Sequence, residues 1–174
     1  AAAVYTKNLV KSDAILVTQE HLKNGKAQAI VANSGNANTC NADGYKKASD
    51  VCKLCASTLN IAEDDVIVAS TGVIGVPLPL EPFEQKLYLM KKMMSSENGS
   101  DCAEAIMTTD TVKKEMVMEM SIDGKTVTVG GIAKGSGMIH INMGTMLSFV
   151  TTDCAISSKM LEEALKEAVE DSYN

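Results

Sequence analysis

Hydroxyls, one lysine and a set of glycines occupy the positions at which this chain could do chemistry. The two histidines, His21 and His140, stand far apart without ligand spacing, and the five cysteines form an odd set. A Ser–His–Asp or Cys–His system needs a positioned imidazole. His140, beside the glycine-rich run, is the one candidate, and a partly buried structural histidine is the plainer reading of it. Cys52-Lys53-Leu54-Cys55 is formally a CxxC. Structural zinc wants four ligands and there is no second pair, so both thiols read as reduced packing groups on a helix face.

Gly130 to Gly137 (GGIAKGSG) has the composition of a phosphate-binding loop without its order. Lys134 precedes Gly135, and neither G-x-x-x-x-G-K-[ST] nor G-x-G-x-x-G is present. The other reading is that these glycines let the backbone pass close to a reacting centre around Lys134. A histidine-poor chain can also activate a hydroxyl through its own backbone. If the peptide bond before a threonine is broken, the new α-amino group becomes a base on the same residue, with an ordinary pKa of about 7.7–8.0. Gly144-Thr145 suits this, with a small residue before a threonine that begins an apolar run.

These groups must be carried by regular elements. Apolar runs at Ile15–Val17 and Ala27–Ala32 read as short strands, and Ser34–Asn41 (SGNANTCN) reads as a loop. From Gly44 to Leu59 the apolar positions Ala48, Val51, Cys52, Cys55 and Leu59 share one helix face. Val66–Ala69 reads as a buried strand, and Thr71–Pro79 as irregular. Phe83–Met94 is helical, with Phe83, Leu87, Met90 and Met94 on one stripe, and Cys102–Met107 is a short helix. Met116, Met118, Met120 and Ile122 alternate with other residues up to Asp123-Gly124, and Thr126–Val129 returns, which is a hairpin. Met146–Val150 is a further strand. Met160, Leu161, Ala164, Leu165, Ala168 and Val169 mark an amphipathic helix. Helices and strands mixed with an antiparallel pair indicate an α+β or mixed α/β architecture.

Composition narrows the function classes. Of 174 residues, 45% are hydrophobic and 22% charged, as in an ordinary globular chain. Aromatics make up only 3%, so Ala, Val and the 11 methionines are expected to fill the core. The net charge of −6 with no basic run argues against nucleic acid and against an anionic membrane surface as partners. No signal peptide or spanning segment is read, and a cytoplasmic location is expected. The chain opens without Met and stops inside a helical pattern, which reads as a piece of a longer polypeptide.

Four motifs in order carry a resemblance. They are Asn33-Ser34-Gly35-Asn36-Ala37-Asn38, Ser70-Thr71-Gly72-Val73-Ile74-Gly75, Met107-Thr108-Thr109-Asp110-Thr111 and the run from Lys134 to Leu147 (KGSGMIHINMGTML). Together they resemble the ornithine acetyltransferase family, the bifunctional glutamate N-acetyltransferases of arginine biosynthesis. The family usually has Pro where Ile141 stands and Ala where Gly144 stands. The likeness covers the whole chain and places it in the middle of a family polypeptide more than twice as long.

The resemblance implies a layered α/β/β/α sandwich and self-cleavage between Gly144 and Thr145. Residues 1–144 would end the α chain and residues 145–174 would start the β chain. Thr145 would be the nucleophile, and the Thr71 hydroxyl with the Gly72 N–H would form the oxyanion hole. Lys134 would contact substrate and hold the Thr145 amine neutral, and Thr108, with Thr109 next, would bind substrate. The implied substrates are N-acetylornithine and glutamate, with acetyl-CoA as a second donor in some members. The implied assembly is an oligomer of α/β pairs, and no metal or organic cofactor is implied. The rivals are a related self-cleaving aminopeptidase or amidase and, for the isolated piece, a structural fragment.

Overall fold

A computed structural model describes residues 1–137 and 143–173. The first helix, α1 (Asp13–His21), starts where the Ser12 hydroxyl accepts the Ala14 N–H at 3.2 Å. The expected strand at Ile15–Val17 is therefore wrong. The buried face of α1 is Ala14, Val17, Thr18 and His21, spaced at helical intervals. Half of that face is polar, and it is satisfied by the neighbouring strand: Thr18 Oγ1 donates to the Val68 carbonyl at 2.6 Å and His21 Nδ1 to that of Val66 at 2.7 Å.

Strand β1 (Ala29–Asn36), helix α2 (Gly44–Leu59) and strand β2 (Val66–Val73) form a βαβ unit, with β1 and β2 parallel. Helix α2 ends at Asn60 in the left-handed conformation. Its buried residues Ala48, Val51, Cys52, Cys55 and Ala56 pack with Val31, Val66 and Val68 and with Ala14 and Val17 of α1. Val51 and Cys52 are fully buried. Both strands run further than their sequence suggests. Ser34–Asn36 and Thr71–Val73 are ladder residues, because glycine stands opposite glycine at Gly35 and Gly72 and lets the backbones stay close.

Helix α3 (Glu81–Met93) covers α2 through Leu87, while Met90 and Met94 of the expected stripe are exposed. Helix α4 (Gly99–Ala105) leads to a three-stranded antiparallel sheet in the order β3 (Lys114–Ile122), β4 (Lys125–Lys134), β5 (Leu147–Thr152). The hairpin turns at Asp123 and Gly124, both with positive φ, as its Asp-Gly pair predicts. Gly130 and Gly131 are central strand residues of β4, not loop. Helix α5 (Ser158–Glu170) closes the chain, its start beside Gly25.

The class is α+β. Helices α1 and α2 cover one face of the β1–β2 sheet, and β3–β4–β5 is a second sheet, with β2 near β5. Among the described residues, methionine does not fill this core. Met116 is 67% exposed, and Val117, on the opposite face of β3, is exposed too. The core is Ala, Val, Cys and Leu packed between the helices and the first sheet.

Candidate functional site

The described residues of the four motifs lie side by side as two pairs. The first pair ends the parallel sheet, with Asn33 opposite Ser70, Ser34 opposite Thr71 and Gly35 opposite Gly72. Side chains alternate along a strand, so Asn33 and Ser70 share the face of Val31 and Val68, toward the helices. There Ser70 Oγ donates to Asn33 Oδ1 at 2.7 Å. Ser34 and Thr71 take the opposite face, away from α1 and α2.

Gly72 has φ +136°, and a Cβ there would stand 2.2 Å from the Gly35 carbonyl carbon. Only glycine fits. Beyond the ladder, Asn36 Nδ2 donates to the Val76 carbonyl at 3.0 Å and the Ala37 N–H to that of Val73 at 2.9 Å. These bonds tie the SGNAN segment to the segment following Thr71 and Gly72. Thr71 is only 5% exposed.

The second pair joins the loop after α4 to the end of β4. Lys134 is 6% exposed, and its Nζ donates to Thr108 Oγ1 at 2.8 Å. Thr109 Oγ1 and Ser136 Oγ share a hydrogen bond of 2.7 Å. Between them Asp110, buried, accepts the Gly135 N–H at 2.8 Å, the Thr108 N–H at 3.3 Å and Lys114 Nζ at 2.6 Å. Lys134 Nζ lies 3.9 Å from its other oxygen. Burial works against the Asp110 charge, but the Lys114 ammonium and the two backbone N–H groups hold its carboxyl well below the usual carboxylate range.

Thr145 stands two residues before Leu147, the register partner of Lys134. Its hydroxyl donates to the Gly144 carbonyl oxygen at 2.8 Å. Met143 and Thr145 both have positive φ, +61° and +57°. For a β-branched residue that conformation costs on the order of 1–3 kcal/mol. Backbone strain therefore gathers at the Gly144–Thr145 bond.

Of the residues singled out from sequence, Thr108 and Lys134 touch, and Thr145 lies outside the ladder, two residues before the Lys134 partner Leu147. Thr71 and Gly72 stand on the other sheet, and the link between the pairs is the approach of β2 to β5. His140 and Ile141 lie outside the described residues. Asp110, a motif residue for which the sequence suggests no role, organises the second pair. An aspartate two residues after Thr108 and four before Lys114 was the available signal.

The CxxC thiols belong to the core. Burial, with Glu63 and Cys55 nearby, pushes the Cys52 thiol up to about 12, and burial also raises Cys55. Among the described residues no three His, Cys, Asp or Glu gather as a metal site would require. No described helix is long and apolar enough to cross a membrane. A cleft of about 440 Å³ between α1 and α2, lined by His21, Tyr45 and Asp64, is distinct from the paired motifs.

A family model described as the ArgJ family matches residues 1–174. The arginine biosynthesis bifunctional protein ArgJ of Symbiobacterium thermophilum is 50% identical over 175 residues, which are 100% of this chain and 44% of that protein. The Bacillus subtilis protein of the same name is 47% identical over 176 residues, 100% of this chain and 43% of its own length. The chain thus spans less than half the length of the curated relatives it matches. Among solved structures, the Bacillus halodurans arginine biosynthesis bifunctional protein ArgJ superposes with a TM-score of 0.75 at 43% identity, covering 83% of this chain and 76% of that one. The Mycobacterium tuberculosis ornithine acetyltransferase, complexed with ornithine, gives a TM-score of 0.71 at 33% identity, covering 81% and 76%.

Proposed function

This chain belongs to the ArgJ family, and from that premise we propose that the protein of which it is part moves an acetyl group from N-acetylornithine to glutamate in arginine biosynthesis. The observation that carries the reading is the convergence of Lys134, Thr108 and Asp110 at the end of β4, whose last ladder partner, Leu147, follows the strained Gly144–Thr145 bond by two residues.

The first reaction is on the protein itself. Thr145 Oγ attacks the Gly144 carbonyl carbon, the C–N bond breaks, and the proton from Oγ ends on the departing nitrogen. Water then hydrolyses the resulting ester. Gly144 becomes the carboxyl end of an α chain, and Thr145 becomes the amino end of a β chain. Relief of the positive φ at Thr145 favours this cut.

In the second reaction the new α-amine takes the Thr145 hydroxyl proton as Oγ attacks the acetyl carbonyl. The oxygen that gains charge is met by the Thr71 hydroxyl and the Gly72 N–H. Ornithine leaves with a proton, the acetyl group rests on Thr145 as an ester, and the glutamate amine removes it by the reverse steps. Lys134 and Thr108 contact substrate, and the buried ammonium of Lys134 disfavours protonation of the Thr145 amine. The ornithine bound in the Mycobacterium structure supports the choice of amine. Acetyl-CoA would be a second donor. The α and β chains stay together in an oligomer, in the cytoplasm.

The test is acetyl transfer by the full-length protein with labelled N-acetylornithine. Label should reach glutamate. Label released only as acetate would favour the related hydrolase instead.

A further inference from the structure

One buried hydroxyl, that of Ser34, has no task in the proposed acetyl transfer. Ser34 stands opposite Thr71 in the parallel ladder, on the same face of the sheet. Among the described residues its Oγ is buried and meets no hydrogen-bond partner. Buried polar groups are nearly always partnered, so such an orphan asks for an explanation. One row earlier, on the opposite face, the cross-strand pair Asn33 and Ser70 is bonded at 2.7 Å. The ladder therefore has room for side-chain bonds between paired residues. Ser and Thr at paired positions are among the combinations that make them.

We propose that Ser34 is a positioning residue for Thr71. When substrate is bound beside Thr71, the Ser34 hydroxyl donates to Thr71 Oγ1. Thr71 then has its lone pair engaged and its own proton directed at the acetyl oxygen. Thr71 is 5% exposed, and a donor already aimed is what an oxyanion hole needs. The inference rests on the reading of Thr71 as an oxyanion donor.

The experiment is a double-mutant cycle in the cleaved full-length enzyme. Ser34→Ala should lower kcat about tenfold with KM unchanged, the size of one lost hydrogen bond. The melting temperature should stay at or above that of the parent, because the hydroxyl removed has no partner among the described residues. Ser34→Thr should recover most of the rate. In a Thr71→Ala background Ser34→Ala should have no further effect. A parental rate in Ser34→Ala, or the same tenfold loss on top of an impaired Thr71→Ala, overturns this proposal alone. Full turnover by Thr71→Ala overturns the oxyanion reading and this proposal with it.

Discussion

The Asp110 carboxylate accepts the backbone N–H of Gly135 at 2.8 Å, so the loop after α4 fixes the first residue beyond β4. Gly135 begins the segment that leads to Gly144–Thr145. Asp110 also faces Lys134, which is almost wholly buried, at 3.9 Å.

Replacing Asp110 by Asn keeps an oxygen for Gly135 and removes the charge. The expected cost is roughly 2–3 kcal/mol of stability, since bonds to charged groups are lost. Cleavage of freshly made full-length protein should also slow. Urea unfolding and a time course of chain separation on a denaturing gel would measure both. A variant as stable as the parent that cuts at the parent's rate would show that Asp110 is decorative.

The same carboxylate sets an acid limit. Its folded pKa is depressed, so its contribution is fully present above the unfolded value of about 3.9 and is lost as pH falls below that. Stability of the parent should drop below pH about 4 more steeply than that of Asp110→Asn. Parallel acid slopes for the two proteins would contradict this.

Thr71 and Gly72 should separate chemistry from folding. Thr71→Ala removes a hydroxyl and should lower kcat by roughly 10²–10³ with little change in KM. Gly72→Ala should instead damage the fold, by roughly 3 kcal/mol, because its Cβ would meet the Gly35 backbone at 2.2 Å. Steady-state kinetics and melting curves on the two variants would show the contrast. A well-folded Gly72→Ala would mean that the two strands can part without cost.

Thiol labelling at neutral pH should discriminate among the cysteines. Cys40 and Cys102 are exposed, whereas Cys52 and Cys55 are buried with raised pKa. The native protein should label at the first two, and Cys52 and Cys55 only after denaturant is added. Rapid native labelling of Cys52 would be inconsistent with the packing described for α2.

What the sequence disclosed follows from which forces are local. The Asp123-Gly124 hairpin and the face of α2 depend on neighbours in sequence, and both stand as read. Helix α1 escaped because Thr18 and His21 occupy its buried face, their polar atoms answered by carbonyls of β2 some fifty residues away. No hydropathy period records such a face. Ser34–Asn36 looks like loop by composition and is strand because Gly72 lies opposite Gly35. The motifs named the residues of the candidate site, but their pairing, SGNAN with STGV and TTDT with KGSG, depends on contacts more than twenty residues apart. The role of Asp110 and the orphan hydroxyl of Ser34 become visible only through that pairing.

The central claim is that Thr145 is both the point of cleavage and the carrier of the acetyl group. Intact-mass and peptide mapping of full-length protein, quenched after mixing with N-acetylornithine and before glutamate is added, tests it most directly. Two chains should be found, the second beginning at Thr145 with one acetyl group on that residue, and the acetyl group should vanish when glutamate follows. A single uncut chain with full activity, or an acetyl group carried on another residue, would contradict the account.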